Sequence, residues 1–140
     1  MAGKTLSRST PGLPDAEKIT INLGFVDLGR IDLLVQEGFY SNRSDFIRTA
    51  IRAQLGTHAA EVARTVERHM LELGLREFGV ADLEAARAAG EMLHVKVVGL
   101  ARIAAEVTPE LARATIGSLT VLGALQASPA VKAALADRIG

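Results

Sequence analysis

Polar and apolar residues alternate along residues 18–23, KITINL, so that Lys18, Thr20 and Asn22 are separated by isoleucines. A period of two predicts a β-strand with one polar and one apolar face. A strand needs a partner for its backbone hydrogen bonds, and no second strand pattern lies close enough for a hairpin. We therefore expect the same strand of a second copy to complete a two-stranded antiparallel ribbon. Such a ribbon has dimensions that fit the major groove of DNA.

Two short helical patterns follow, separated by a glycine. The first helix is expected over residues 27–37, with its first residue, an aspartate, as the N-cap. Gly38 fits the left-handed position that ends a helix. Asn42 followed by Asp45 resembles a capping box for the second helix, but Ser41 could serve as the cap instead. The buried face of this second helix is expected to comprise its apolar residues, Phe46, Ile47, Ala50, Ile51 and Leu55.

Three segments of this region carry a resemblance to a known family: KITINL, GRIDLLVQEG and FYSNRSDFIRTAIRAQL. The third segment is the most specific, because an aromatic pair precedes a Ser-Asn-Arg-Ser-acidic cap and an arginine-bearing helix. Together these segments, within residues 18–55, resemble the ribbon-helix-helix family of DNA-binding proteins, the CopG/Arc/MetJ group. The resemblance implies an intertwined homodimer whose ribbon enters the major groove.

The resemblance also implies two sets of DNA-contacting residues. The base-reading set lies on the polar face of the strand and comprises Lys18, Thr20 and Asn22. The phosphate-binding set lies at the start of the second helix, where free N–H groups and the helix dipole suit an anion, and comprises Ser41, Asn42, Arg43 and Ser44. The plainer alternatives are an ordinary polar sheet face and simple helix capping. The remaining arginines of that helix, Arg48 and Arg52, are expected to form weak surface ion pairs with Asp32, Glu37 or Asp45.

Composition narrows the possible functions. The chain has 16 basic and 16 acidic residues and no net charge, so any DNA contact must come from a local patch. The absence of cysteine excludes disulfides, thiolate metal sites and cysteine nucleophiles, and it fits a cytoplasmic protein. No run of 18 apolar residues occurs, so we expect no membrane partner.

The flanking segments differ in character from residues 15–56, the predicted DNA-binding domain. Residues 1–14 are rich in Ser, Thr, Pro and Gly, which predicts a flexible arm from which Lys4 and Arg8 could touch DNA phosphates. Apolar positions at helical spacing predict a helical connector over residues 57–90.

Residues 91–140 are predicted to form a small β-containing oligomerisation or sensing domain. The segments VKVVGLARIAAEVTPEL (95–111) and LTVLGALQASPAVKAAL (119–135) align at an offset of 24, with Gly99 matching Gly123. Each segment contains a run of β-branched residues with one glycine, followed by a predicted turn and then a short helical or irregular stretch. This pattern indicates an internal duplication, or else chance similarity. The lack of polar alternation in TVLGAL predicts a strand buried on both faces.

No catalytic signature is present: we find no nucleophile elbow, no phosphate loop and no acid pair beside a histidine. We therefore expect no enzymatic activity. His58, His69 and His94 are far apart in sequence, so we expect neither a metal site nor another cofactor.

The sequence thus predicts an α+β protein: an intertwined ribbon-helix-helix dimer with a helical connector and a small β-containing C-terminal domain. The predicted function is sequence-specific DNA binding as a transcriptional repressor, by a homodimer or higher oligomer. Three alternatives stay open. The chain could be an antitoxin that binds a toxin partner, a self-assembling structural protein that uses the ribbon only to dimerise, or a small-molecule sensor.

Overall fold

A computed structural model describes residues 16–140, and these form two compact units, residues 16–65 and 66–140. The helices and strands of this part of the chain are, in order, α1 (Phe25–Gln36), α2 (Arg43–Thr57), α3 (Ala59–Arg68), β1 (Glu72–Phe78), α4 (Val80–Ala88), β2 (Leu93–Ile103), α5 (Pro109–Thr115), β3 (Ile116–Gln126) and α6 (Pro129–Ala134). The mixture of helix and strand agrees with the predicted fold class. The expected arm, residues 1–14 with Lys4 and Arg8, lies outside the described residues.

The N-terminal unit begins with a segment that is neither helix nor strand and continues into α1, α2 and most of α3. The alternating residues 18–23 belong to no helix or strand within the chain, and their side chains are exposed. The predicted cap of α1 is wrong. Gly24 is the N-cap, its carbonyl accepts the N–H of Leu28 at 3.0 Å, and Asp27 lies in the first turn, where a carboxylate meets the positive end of the helix dipole. Gly38 ends this region with φ +88, as predicted.

The C-terminal unit is built on a three-stranded sheet in the order β1-β2-β3, with every neighbouring pair parallel. Its second and third strands fall where the sequence predicts β structure. The predicted helical connector over residues 57–90 does contain α3 and α4, but it also contains β1, which pairs with β2 and which the sequence did not predict. The strand was missed because the segment ELGLREF is short, and the spacing of its few apolar residues fits a helix as well as a strand.

The core of this unit lies between one face of the sheet and the three helices α4, α5 and α6. Strand residues such as Val97 and Leu119 are buried there with the helix residues Leu83, Leu111 and Val131. The prediction that the strands are buried on both faces is wrong. On the other face Leu73 of β1 and Leu122 of β3 are 65% and 59% exposed. All three helices share one cluster with one face of the sheet, and the opposite face therefore has no helix over it within this unit.

The two aligned sequence segments occupy equivalent places in the sheet. Val97 pairs with Val121 and Gly99 with Gly123, as the offset of 24 requires. The preceding strand extends the pattern, since Gly74 pairs with Gly99. The C-terminal unit therefore contains three successive strand–helix repeats, of which the sequence comparison found two.

Candidate nucleic-acid interface

The N-terminal segment and α2 border an open groove of about 680 Å³. Lys18, Ile19 and Ile21 line it from the segment, and Ile47 and Arg48 line it from the helix. One predicted base-reading residue, Lys18, thus lies beside the helix predicted to bind phosphate. Thr20 and Asn22 are exposed on the same segment but do not line the groove.

Residues 16–140 leave much of the apolar surface of this unit exposed. Ile19 is 72% exposed and Ile21 is 57% exposed, and among the described apolar residues of this unit Ile31 is the one that is buried. The predicted buried face of α2 is also incomplete, because Ile51 and Leu55 are exposed. A unit of this size needs a larger apolar core to be stable in water. These side chains are therefore available to be covered by another polypeptide.

Asn42 is the N-cap of α2, which the sequence could not decide. Its Oδ1 accepts the N–H of Asp45 at 2.8 Å, while the N–H of Ser41 donates to Asp45 Oδ2 at 2.9 Å. The reciprocal pair fixes the turn that enters the helix. No acceptor among residues 16–140 binds the backbone N–H of Arg43 or Ser44. These two N–H groups remain available to an anion at the positive end of the helix dipole.

The side chain of Arg43, at the start of α2, is already engaged in an ion pair. Its guanidinium donates to both carboxylate oxygens of Asp32 on α1, at 2.8 and 2.9 Å. These hydrogen bonds and the opposite charge lower the pKa of Asp32, and they raise the pKa of Arg43. The expectation that Asp32 pairs with Arg48 or Arg52 is therefore wrong. The two partners are 11 residues apart, so helix spacing could not show the pair; the turn between α1 and α2 brings them together.

The charges of residues 16–65 balance, with six basic residues (Lys18, Arg30, Arg43, Arg48, Arg52 and Arg64) and six acidic ones. Carboxylates pair with Arg30, Arg43 and Arg64. Within the described part of the chain no carboxylate pairs with Lys18, Arg48 or Arg52. Arg48 and Arg52 are four residues apart on α2, so they share one side of the helix. Lys18 and Arg48 both line the groove, together with Glu17, so two of these three cations lie at one site although the unit carries no net charge.

Other kinds of site find little support in residues 16–140. No group of three His, Asp or Glu side chains in this range could hold a metal ion. His94 instead forms a hydrogen bond through Nδ1 with the hydroxyl of Ser118, at 2.8 Å on neighbouring strands. None of the helices in this range combines the length and apolar character needed to cross a bilayer.

Comparison with known families extends the resemblance noted in residues 18–55. A family model described as a ribbon-helix-helix transcriptional regulator family matches residues 14–132. The match includes the groove-bordering segment, the helices α1 to α3 and nearly all of the C-terminal sheet unit. Searches of the curated proteins and of the solved structures gave no match.

Proposed function

The chain belongs to the ribbon-helix-helix transcriptional regulator family, and we propose that it is a sequence-specific DNA-binding repressor that acts in the cytoplasm as a homodimer or higher oligomer. Two copies of residues 18–23 would pair as an antiparallel ribbon in the major groove. The observation that carries this proposal is a groove lined by the cations Lys18 and Arg48 beside an apolar face that residues 16–140 leave exposed. The first feature suits DNA, and the second suits a partner subunit.

Dimerisation follows from the apolar side chains that the chain itself leaves uncovered. Ile19 and Ile21 alternate with the polar residues of the segment. In a ribbon, both isoleucine side chains would therefore lie on the same face. That side faces the groove along α2, where Ile47 and Ile51 are also lining residues. A second copy that contributes its own strand and helices would bury both sets. Each large aliphatic side chain buried in this way is worth about 1.5–3 kcal/mol.

Base reading falls to the polar face of the same ribbon. Lysine donates to guanine acceptors, asparagine pairs with adenine, and threonine meets a thymine methyl group or an acceptor. Lys18, Thr20 and Asn22 have these chemistries at alternate positions and are exposed. We assign sequence specificity to these three residues.

Phosphate binding is assigned to the start of α2, with Ser41, Asn42, Arg43 and Ser44. The unbonded N–H groups of Arg43 and Ser44 provide two donors to a phosphate oxygen. Asn42 contributes indirectly, because it holds the turn in place through Asp45. Arg43 would have to share its guanidinium between Asp32 and the DNA. Contacts of this kind set the position of the ribbon but do not select the sequence.

The two units suggest a division of labour. We assign DNA binding to residues 15–56 and oligomerisation or ligand sensing to the sheet unit that includes residues 91–140. An antitoxin would use this part to hold a toxin partner, and such segments tend to be disordered before binding. Residues 66–140 instead form a sheet with its own buried core, which favours the regulator over the antitoxin.

The decisive experiment is selection of genomic DNA fragments by the wild-type protein and by the triple variant Lys18→Ala, Thr20→Ala, Asn22→Ala, at two salt concentrations. The matched control is the double variant Lys96→Ala, Thr120→Ala, which removes similar exposed side chains from paired positions of β2 and β3. Circular dichroism and light scattering would show that each variant is folded and has the wild-type mass.

We expect the wild type and the control to select the same fragments. The triple variant should lose at least about tenfold in preference for them, since each specific base contact contributes about 1–3 kcal/mol of discrimination. It should keep a weaker, salt-sensitive binding through the phosphate contacts. Absence of fragment selection by the wild type, or undiminished selection by the folded triple variant, would rule out base reading by this segment.

A further inference from the structure

Among residues 16–140 the sheet of the C-terminal unit has two outer strands, β1 and β3, each with one edge that no other named strand pairs with. The stretch 121–126 of β3, VLGALQ, contains no charged residue and no proline. Proteins commonly protect free edges with charges, prolines, bulges or covering loops, because an unprotected edge pairs with other strands. Residues 121–126 have neither charges nor prolines to protect their edge. Within residues 16–140 no strand pairs with that edge.

A row of three glycines crosses the sheet, one in each strand, at positions where neighbouring strands approach closely. Gly74, Gly99 and Gly123 pair in register and have φ values of +124, +136 and +120. A Cβ atom on Gly99 would overlap the carbonyl group of Gly74, and a Cβ on Gly123 would overlap that of Gly99. Each of these two glycines therefore makes room for the carbonyl of the preceding strand.

Gly74 has the same backbone conformation, but nothing lies within 4 Å of its would-be Cβ. It thus has the space for a neighbouring carbonyl, although no strand precedes β1 in the sheet. At the other side of the sheet, continuation of the same pattern turns the carbonyl of Gly123 towards the open edge of β3. The two ends of the glycine row are complementary.

The C-terminal residues define how much of the β3 edge is open. The N–H of Leu119 donates to the carbonyl of Arg138, and the N–H of Gly140 donates to the carbonyl of Leu119, both at 2.9 Å. This short parallel bridge occupies the beginning of the edge and leaves residues 121–126 uncovered. Because Glu72 is level with Val97, which pairs with Val121, β1 begins at the level where the bridge ends.

We propose that β1 of one copy pairs in parallel with β3 of a second copy, with Gly74 against Gly123, so that the sheet continues from molecule to molecule. Leu73 of one copy then lies beside Leu122 of the other, and both lose exposed apolar surface. Because the two surfaces differ, the contact is heterologous and repeats from copy to copy, so it produces open chains of subunits, or rings where the rotation between copies closes. The pairing needs no DNA, so it stands or falls separately from the proposed repressor function.

Disulfide trapping tests this register, because the natural chain has no cysteine. The variant Leu73→Cys, Leu122→Cys places both thiols on the exposed face. Within one chain these positions are two strand spacings apart, about 9.6 Å, which is beyond the roughly 7 Å limit for a disulfide. Across the proposed contact they are one spacing apart, about 4.8 Å. A bond can then form only between copies.

The controls are the two single variants and the off-register pair Leu75→Cys, Leu122→Cys. All would be oxidised at equal concentration and compared on non-reducing gels, with circular dichroism to show that they are folded. Static light scattering of the wild type over a concentration series gives a second readout that needs no substitution.

We expect the in-register variant to yield linked dimers, trimers and larger species, at least about tenfold more abundant than in the controls. The wild-type mass should rise with concentration beyond a dimer. The proposal is overturned if the in-register variant links no better than the controls, or if Leu122→Cys alone links equally well, which would indicate a two-fold contact between sheet faces. A wild-type mass that stays at that of one or two subunits across the series would also overturn it.

Discussion

Arg43 at the start of α2 binds both carboxylate oxygens of Asp32 on α1, with donor–acceptor distances of 2.8 and 2.9 Å. Both side chains are about half exposed, so the pair contributes little to stability. Its importance is local, because Arg43 belongs to the proposed phosphate-binding set and Asp32 places a negative charge beside it. The carboxylate and a DNA phosphate would compete for the same guanidinium.

Removing this competitor should strengthen DNA binding. For Asp32→Asn we expect a few-fold higher affinity at low salt and a dependence of log K on log salt that is steeper by about one unit, since one more cation becomes available to phosphate. Fluorescence anisotropy with a selected fragment measures both quantities. Asp27→Asn is the matched control, because it removes the same charge from α1 at a residue that pairs with Arg30. Equal effects of the two variants would indicate a general charge effect instead.

The side chain of Asn42 should matter for stability through its cap. Asn42→Ala removes the oxygen that accepts the N–H of Asp45, and we expect a loss of about 1 kcal/mol in the free energy of unfolding. Asn42→Ser keeps a capping oxygen and should lose much less. Urea denaturation followed by circular dichroism distinguishes the two variants. Similar losses in both would show that the cap contributes little.

The glycines of the sheet should differ in their tolerance of a methyl group. Gly99→Ala combines a strained positive φ with overlap against the carbonyl of Gly74, whereas Gly74→Ala has the strain alone. Backbone strain of this kind costs about 1–3 kcal/mol, so we expect Gly74→Ala to fold with reduced stability. Gly99→Ala should be clearly less stable or fail to fold. Thermal unfolding at low protein concentration tests this order, and the reverse order would contradict the glycine row.

Acid should selectively weaken the contact between α5 and the segment after α6. Arg113 donates to both carboxylate oxygens of Asp137 and holds the pKa of that carboxyl below its ordinary value of about 3.8. A lowered pKa in the folded state means that the stabilisation is present above that ordinary value. It is lost as the pH falls through the lowered pKa.

We therefore expect Asp137→Asn to have a slightly lower Tm than the wild type at pH 7. The difference should shrink below pH 3.8 and vanish once Asp137 is protonated in the folded protein. Calorimetry at several pH values measures it. A difference that stays constant down to pH 2 would show that the ion pair is not its cause.

Local pattern was sufficient for the features that depend on neighbouring residues alone. The helices around residues 27–37 and 43–55, the left-handed Gly38 and the glycine-bearing strands of residues 95–126 follow from spacing and glycine chemistry. The family resemblance in residues 18–55 agrees with the family match over residues 14–132. The offset of 24 between the aligned segments equals the register between β2 and β3, because equivalent repeats stack side by side in a parallel sheet.

Other features depend on which distant segments meet, and only the tertiary structure decided them. The strand β1 is recognisable through its pairing with β2, because its own sequence is too short to distinguish helix from strand. Arg43 meets Asp32 because a turn aligns two helices, and the helices cover one face of the sheet because successive parallel connections return on the same side. The alternation in residues 18–23 was plain from the sequence. Its apolar side chains, in contrast, are exposed within residues 16–140, so their burial depends on the second copy that we propose.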